Sequence, residues 1–238
     1  MPDKRLAGQV AVVTGASKGI GKAIAYALAR EGAHTVLAAR STKELDAVVQ
    51  DFTRQGLKAS QVPTDITIPS QVTALIEGTV DGFDRLDILV NNAGIGIFKN
   101  VEDMAVEEFD AMWNVNLRGV FLASKAALPA MIKAKRGTIV NISSLAGKNS
   151  IKGGAGYCAT KWALRGFSSS LMLEVREHNI RVVTIFPGSV ATNFSQTGKK
   201  GPHITQPEDV ADAVLFAVTA PERSMFSEID VRPTNPAR

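Results

Sequence analysis

The sequence predicts an α/β protein in which a parallel β-sheet is covered by helices on both faces. Three observations lead to that fold class. Short apolar segments rich in Val, Ile and Ala recur along the whole 238-residue chain. Between them lie longer stretches whose apolar residues recur at helical spacing. The apolar segments show no clean polar–apolar alternation, as expected of strands buried on both faces. Strands and helices alternating in this way join through right-handed crossovers into an open, doubly wound sheet. About seven strands are expected, in a single domain over residues 1–238, because no linker, repeat or low-complexity block interrupts the pattern.

Taken in order, residues 10–14 form a β-branched strand that ends at a glycine-rich turn. Residues 19–31 form an Ala-rich helix stopped by Gly32. Residues 35–39 are the second strand, and Ser41 caps a helix running to about Gln55. A third strand over 59–63 and a third helix over 70–80 follow. The fourth strand, 88–91, is bounded by Asp87 and an Asn-Asn-Ala-Gly turn. Residues 107–134 read as one long helix, with Pro129 kinking or ending its last turn. Residues 138–142 are the fifth strand, 157–178 a long helix and 181–186 the sixth strand. Pro207 opens a helix over 207–219, with Glu208 and Asp209 suited to its first turn. A short last strand runs over 228–231.

Composition narrows the function classes. Hydrophobic residues at 45% and charged residues at 21% are ordinary for a soluble globular protein. The net charge of +4 is spread along the chain, and the Lys133, Lys135, Arg136 cluster is too short for a nucleic-acid face. One cysteine, Cys158, excludes an intramolecular disulfide and a multi-cysteine metal site, and a small core-facing role is expected for it. His34, His178 and His203 are scattered, so no metal site is expected. The charged start is followed by no apolar leader, and no apolar run is long enough to span a membrane. A cytoplasmic location is expected, with no nucleic-acid or membrane partner.

Thr14-Gly15-Ala16-Ser17-Lys18-Gly19-Ile20-Gly21 joins the first strand to the first helix. Glycines here allow a tight turn and let the backbone approach a pyrophosphate lying at the helix N-terminus. The spacing is Gly-x-x-x-Gly-x-Gly, without the Gly-Lys-Ser/Thr ending of a P-loop. In an alternating chain this turn predicts dinucleotide binding and a Rossmann fold. An acid after the second strand would hold a ribose 2′-hydroxyl, whereas an arginine accommodates a 2′-phosphate. The strand ends Ala38-Ala39-Arg40, and Lys18 adds a second cation. Two cations and no acid predict NADP(H).

Tyr157 and Lys161 are four residues apart, so one helix face carries both. A phenol titrates near 10, and a cation held beside it favours the phenolate. The pair can therefore move a proton near neutral pH, provided that a cofactor and an oxyanion stabiliser accompany it.

With these motifs the chain resembles the short-chain dehydrogenase/reductase family over nearly its whole length, and within it the bacterial 3-oxoacyl-acyl-carrier-protein reductase-like group. Residues Gly15, Ser17, Lys18, Gly19, Ile20 and Gly21 match the cofactor loop, and Asp65 with Ile66 matches the adenine contact. Asn91, Asn92, Ala93 and Gly94 match the turn that supports the sheet and lines the cofactor site. Pro187, Gly188, Val190 and Thr192 match the segment beside the nicotinamide. Asn116, Ser144, Tyr157 and Lys161 match the catalytic set, Ser144 lying 13 residues before Tyr157, with Ser143 as the alternative serine. The resemblance implies hydride transfer between NADP(H) and a carbonyl or alcohol. Tyr157 would be the general acid, Ser144 the hydrogen-bond donor to the substrate oxygen, and Lys161 a partner of Tyr157 and of the ribose. Asn116 would hold a water linking Lys161 to solvent.

Substrate choice in the family rests largely on the segment after Pro187-Gly188. Here 193–203 is short and polar, and Lys199 and Lys200 could attract an acidic substrate. Such a segment cannot wall off a large apolar pocket by itself, which favours a compact or partly exposed substrate, and Ile95, Gly96, Ile97, Phe98 and Phe194 are expected to add apolar wall. The C-terminus lacks the Gly-Gly-rich strand common in the 3-oxoacyl group. The helices over 107–134 and 157–178 resemble the family's dimer-forming pair, so a homodimer or homotetramer is expected. A dinucleotide-binding scaffold without catalysis is the alternative from another class.

Overall fold

The computed structural model describes residues 4–192, 194 and 204–234. Seven strands form one sheet in the order β3-β2-β1-β4-β5-β6-β7. They are β1 (Val10–Thr14), β2 (His34–Ala39), β3 (Ala59–Pro63), β4 (Ile88–Asn91), β5 (Gly137–Ile142), β6 (Ile180–Pro187) and β7 (Glu228–Val231). Every neighbouring pair is parallel; in the centre Val12 stands opposite Leu89, and Val90 opposite Val140. The helices are α1 (Gly19–Arg30), α2 (Thr42–Arg54), α3 (Pro69–Phe83), α4 (Val106–Trp113), α5 (Gly119–Ala134), α6 (Ala155–Val175) and α7 (Pro207–Val218).

The strands feed two cores, because successive side chains point to opposite faces. Ala11, Val13, Val140 and Val183 join Ile24 and Leu28 of α1, Phe52 of α2 and Val214 of α7. Val12, Ile139 and Val182 join Leu75 of α3, Met131 of α5 and Leu171 of α6. This is why the strands read as unbroken apolar runs. The fold is the expected α/β Rossmann-like one, doubly wound about a seven-stranded parallel sheet. The order reverses direction between β1 and β4, and such a switch point opens a crevice at the carboxyl ends of the strands.

The long helix expected over 107–134 is interrupted. α4 and α5 are joined by a π-turn, Asn114–Arg118, in which the Gly119 N–H donates to the Asn114 carbonyl. Apolar spacing does not distinguish such a turn from α-helix, since the axis continues through it. Pro129 neither ends nor bounds α5, which runs on to Ala134. Pro129 and Lys125, whose carbonyl lacks its helical N–H partner because of the proline, both lie on the exposed side of α5. α6 begins at Ala155, and its expected last residues form a 3₁₀ turn, Arg176–His178. Among the described residues, no helix is long and apolar enough to cross a membrane.

Candidate active site

The glycine turn, the Asn-Asn-Ala-Gly turn, the two serines and the Pro-Gly segment leave the carboxyl ends of β1, β4, β5 and β6. Parallel pairing therefore gathers them along one edge of the sheet.

The glycine turn is held open by close backbone contacts. Gly15 has φ of 65°, and a Cβ there would stand 2.9 Å from the Ala93 Cα. A Cβ on Gly21 would lie 2.3 Å from the Gly15 carbonyl oxygen. Asn92 clips the turn by donating from Nδ2 to the carbonyls of Thr14 at 2.9 Å and Gly15 at 3.2 Å. Thr14 Oγ1 accepts from the N–H groups of Asn92 at 3.0 Å and Ala93 at 3.1 Å. α1 starts at Gly19 with no side-chain cap from Lys18 and no acid in its first turn. Its first N–H groups thus lack side-chain acceptors, and the positive end of its dipole faces the turn. These features fit the pyrophosphate of a dinucleotide.

Around this cradle, Ile66 packs on Gly119, where an added Cβ would stand 2.9 Å from Ile66 Cγ1. Asp65 Oδ1 accepts from the Thr67 N–H at 2.9 Å and its hydroxyl at 2.7 Å. These bonds, with the nearby Arg40 charge, hold the Asp65 carboxyl below the usual range. Arg40 and Lys18 are exposed. Thr192 packs against Gly19, where an added Cβ would lie 3.5 Å from Thr192 Cγ2. Gly188 donates to the Val231 carbonyl at 2.8 Å, and Val190 bridges to Thr205.

Asn91 belongs to a buried polar chain behind the site. Its Nδ2 donates to Asn141 Oδ1 at 2.9 Å and to Ser124 Oγ at 3.3 Å. Asn141 Nδ2 donates in turn to Ser168 Oγ at 2.8 Å. The chain ties β4 and β5 to α5 and α6.

Asn116 sits inside the π-turn and is fully buried. Its Oδ1 accepts from the Ile95 N–H at 2.8 Å. Its Nδ2 donates to the Ile95 carbonyl at 2.8 Å and to Thr160 Oγ1 at 3.1 Å. A Cβ added at Gly94 would stand 3.3 Å from Asn116 Oδ1 and 3.7 Å from Lys161 Nζ. Asn116, Lys161 and the turn after β4 therefore meet at one point. A π-turn at such a place re-aims one side chain within an otherwise regular helix.

Tyr157 and Lys161 lie on the buried face of α6. The Lys161 ammonium donates to the Ile142 carbonyl at 3.0 Å. Burial pushes its pKa down to about 8. Tyr157 is 6% exposed, and burial pushes its hydroxyl up to about 12, against a downward pull from the Ser144 hydroxyl. The expectation of a phenol drawn toward neutrality is therefore reversed: loss of water around Tyr157 outweighs its neighbours. Ser143 donates to the Lys161 carbonyl at 3.2 Å, which commits it to tying β5 to α6. Ser144 is partly exposed and is the serine beside the phenol. Phe98 and Phe194 flank the Tyr157 ring at centroid distances of 5.2 and 5.9 Å, both resting on Gly96. Cys158 is buried beside Ala146, Met112 and Tyr157, in keeping with a core role. Asn193 and residues 195–203, with Lys199 and Lys200, lie outside the described residues.

Several contributors carry no recognisable sequence signal. Thr14 and Thr160 act through hydroxyls that any strand or helix threonine possesses. Glu44, on α2, reaches back to the glycine turn: its Oε2 accepts from Ser17 Oγ at 2.8 Å, and its Oε1 lies 3.9 Å from Lys18 Nζ. A carboxylate therefore stands at the glycine turn although none lies directly after β2.

Comparison with known proteins agrees with this architecture. Residues 9–202 match the family model described as short chain dehydrogenase. An uncharacterized oxidoreductase of Staphylococcus aureus (strain MRSA252) is 38% identical over 232 residues, covering 96% of this chain and 98% of the relative. A metagenomic short-chain oxidoreductase in complex with NADP is 42% identical, with a TM-score of 0.87 over 97% of this chain and 99% of that one. An alcohol dehydrogenase from the archaeon Thermococcus sibiricus, complexed with 5-hydroxy-NADP, is 32% identical, with a TM-score of 0.89 and the same coverage. The sheet order, the glycine cradle and these similarities place the chain in the short-chain dehydrogenase family, whose members are oxidoreductases that bind a nicotinamide dinucleotide.

Proposed function

We propose that the protein transfers a hydride between NADP(H) and a carbonyl or alcohol, with one domain carrying both cofactor and substrate sites. The observation that carries this reading is the Ser144 hydroxyl beside the Tyr157 phenol, with the Lys161 ammonium buried beneath the same helix face. A scaffold without catalysis has no use for that grouping. Bound in the glycine cradle, the dinucleotide supplies the hydride. Tyr157 donates its proton to the substrate oxygen, and the high pKa of the buried phenol keeps that proton in place at neutral pH. Ser144 donates a hydrogen bond where negative charge grows on that oxygen. Lys161 keeps a positive charge below the phenol, which favours the phenolate left after proton transfer. Asn116 fastens the turn after β4 to α6 through Ile95 and Thr160; the remaining acceptor position on its Oδ1 suits a water leading from Lys161 toward solvent.

NADP(H) is the proposed cofactor, held at the adenosine end by Ser17, Lys18, Arg40 and Asp65. The NADP in the metagenomic relative and the 5-hydroxy-NADP in the archaeal one support this choice. Ile95, Ile97, Phe98 and Phe194 favour a compact apolar substrate. The exposed apolar surface of α4, the π-turn, α5 and α6, with Trp113, Leu117, Phe121 and Phe167 around one groove, suits self-association as a homodimer or homotetramer.

The test is a panel of ketones, aldehydes and 3-oxoacyl thioesters, each with NADPH and NADH, followed at the nicotinamide absorbance. Small apolar ketones or aldehydes with NADPH should turn over fastest. Fastest turnover of the thioesters would assign the protein to the 3-oxoacyl reductase group instead, and no turnover of any carbonyl would contradict the reading.

A further inference from the structure

We propose that Glu44 is a specificity-determining residue that weakens the preference for a 2′-phosphate and so sets the balance between NADP(H) and NAD(H). The inference rests on the dinucleotide reading above. Glu44 lies in the first turn of α2, whose N-cap Ser41 accepts the Glu44 N–H at 3.3 Å. That capping fixes where its side chain emerges. From there the carboxylate crosses to the glycine turn and occupies the polar groups of Ser17 and Lys18. These are two of the groups expected to receive the adenosine end of the cofactor. The carboxylate and a 2′-phosphate therefore compete for the same hydroxyl and the same ammonium.

The competition has a definite sign for each dinucleotide. A 2′-phosphate must displace the carboxylate from Ser17 and then remain close to its negative charge. A ribose 2′-hydroxyl meets no such repulsion, and the carboxylate can accept a hydrogen bond from it. Glu44 thus does from the first turn of α2 what an acid at the end of β2 does when it selects NAD. Lys18, at 74% side-chain exposure, and Glu44, at 47%, are both in contact with water, so the opposition is moderated rather than absolute. Coulomb repulsion through water at about 5 Å between a carboxylate and a doubly charged phosphate corresponds to about a tenfold effect on affinity. Salt should reduce it.

The test is calorimetric titration of the wild type, Glu44→Gln and Glu44→Ala with NADP+, NAD+, adenosine 2′,5′-bisphosphate and 5′-AMP. Glu44→Gln removes the charge but keeps an acceptor for Ser17; Glu44→Ala removes both. Both variants should bind NADP+ and the bisphosphate about three- to tenfold more tightly. NAD+ and 5′-AMP should be unchanged or weakened, most in Glu44→Ala. The gain should shrink as salt rises from about 0.05 to about 0.5 M. An unchanged NADP+ to NAD+ ratio in both variants overturns the proposal, whichever dinucleotide the wild type prefers. A wild type that binds NAD+ more tightly, with the ratio still moved toward NADP+ by Glu44→Gln, would refute the NADP(H) preference while supporting the role of Glu44. Binding of neither dinucleotide would refute both.

Discussion

Lys161 Nζ stands 5.8 Å from the centre of the Tyr157 ring and donates to the Ile142 carbonyl at 3.0 Å rather than to the phenol. The ammonium is therefore anchored to β5 and makes no direct bond to the phenol. The two groups are displaced in opposite directions by the same cause, since burial removes water from both.

The pH profile follows from those displacements. Tyr157, pushed up to about 12, stays protonated through the neutral range, as a proton donor must. Lys161, pushed down to about 8, is charged below that pH and neutral above it. The rate of carbonyl reduction should hold from about pH 6 to about pH 7 and fall as pH rises through about 8. Measuring kcat/KM for reduction across this range checks it. An unbroken plateau to about pH 10 would show that Lys161 does not govern the step.

The same burial predicts a stabilising substitution. The folded-state pKa of Lys161 lies below its ordinary 10.5, so its charged form is penalised by folding. That penalty is full below about pH 8 and fades as pH rises toward about 10.5, where the unfolded chain also loses the proton. Lys161→Met relieves that penalty but leaves the Ile142 carbonyl without its donor, so at pH 7 it should unfold at higher temperature with a net gain of no more than about 1–2 kcal/mol, while reduction is largely lost. The gain should narrow above about pH 10. Thermal unfolding of both proteins at several pH values measures it.

Asn116→Ala should cost both stability and turnover. It leaves the Ile95 N–H and carbonyl without their partners and removes the bond to Thr160. Loss of about 2–4 kcal/mol is expected from orphaning such groups in the interior. Urea unfolding gives the stability, and the kcat to KM split shows whether the effect reaches the reacting groups.

Gly21→Ala should abolish dinucleotide binding or unfold the turn, because its Cβ would overlap the Gly15 carbonyl. Circular dichroism separates the two outcomes: native spectrum with no NADP+ binding indicates the turn, loss of the spectrum indicates the fold. Gly166→Ala, where an added Cβ meets nothing within 4 Å, is the control and should bind normally.

The parts legible in the sequence share a physical origin. Apolar strand runs, the glycine turn and the Tyr157–Lys161 spacing are local patterns, and parallel pairing then brings their ends together. What was not legible depends on direction or solvation. Glu44 is an ordinary helix acid until the chain turns it back toward Ser17. The π-turn around Asn116 shares its apolar spacing with α-helix. Pro129 is tolerated because its side of α5 is wet, which composition does not reveal. The upward displacement of Tyr157 arises from packing against residues distant in sequence, Phe98 and Phe194 among them. Tyr157 and Lys161 can be paired from spacing alone, but which influence wins is decided by burial.

The most direct measurement of the central claim compares Tyr157→Phe with the wild type in NADPH-dependent reduction of the best carbonyl from the panel, alongside the Kd for NADP+. The proton-donor account predicts that turnover falls by about 10²- to 10⁴-fold while the Kd changes by less than about threefold. Turnover within about threefold of the wild type would show that the proton comes from elsewhere, and would contradict the account.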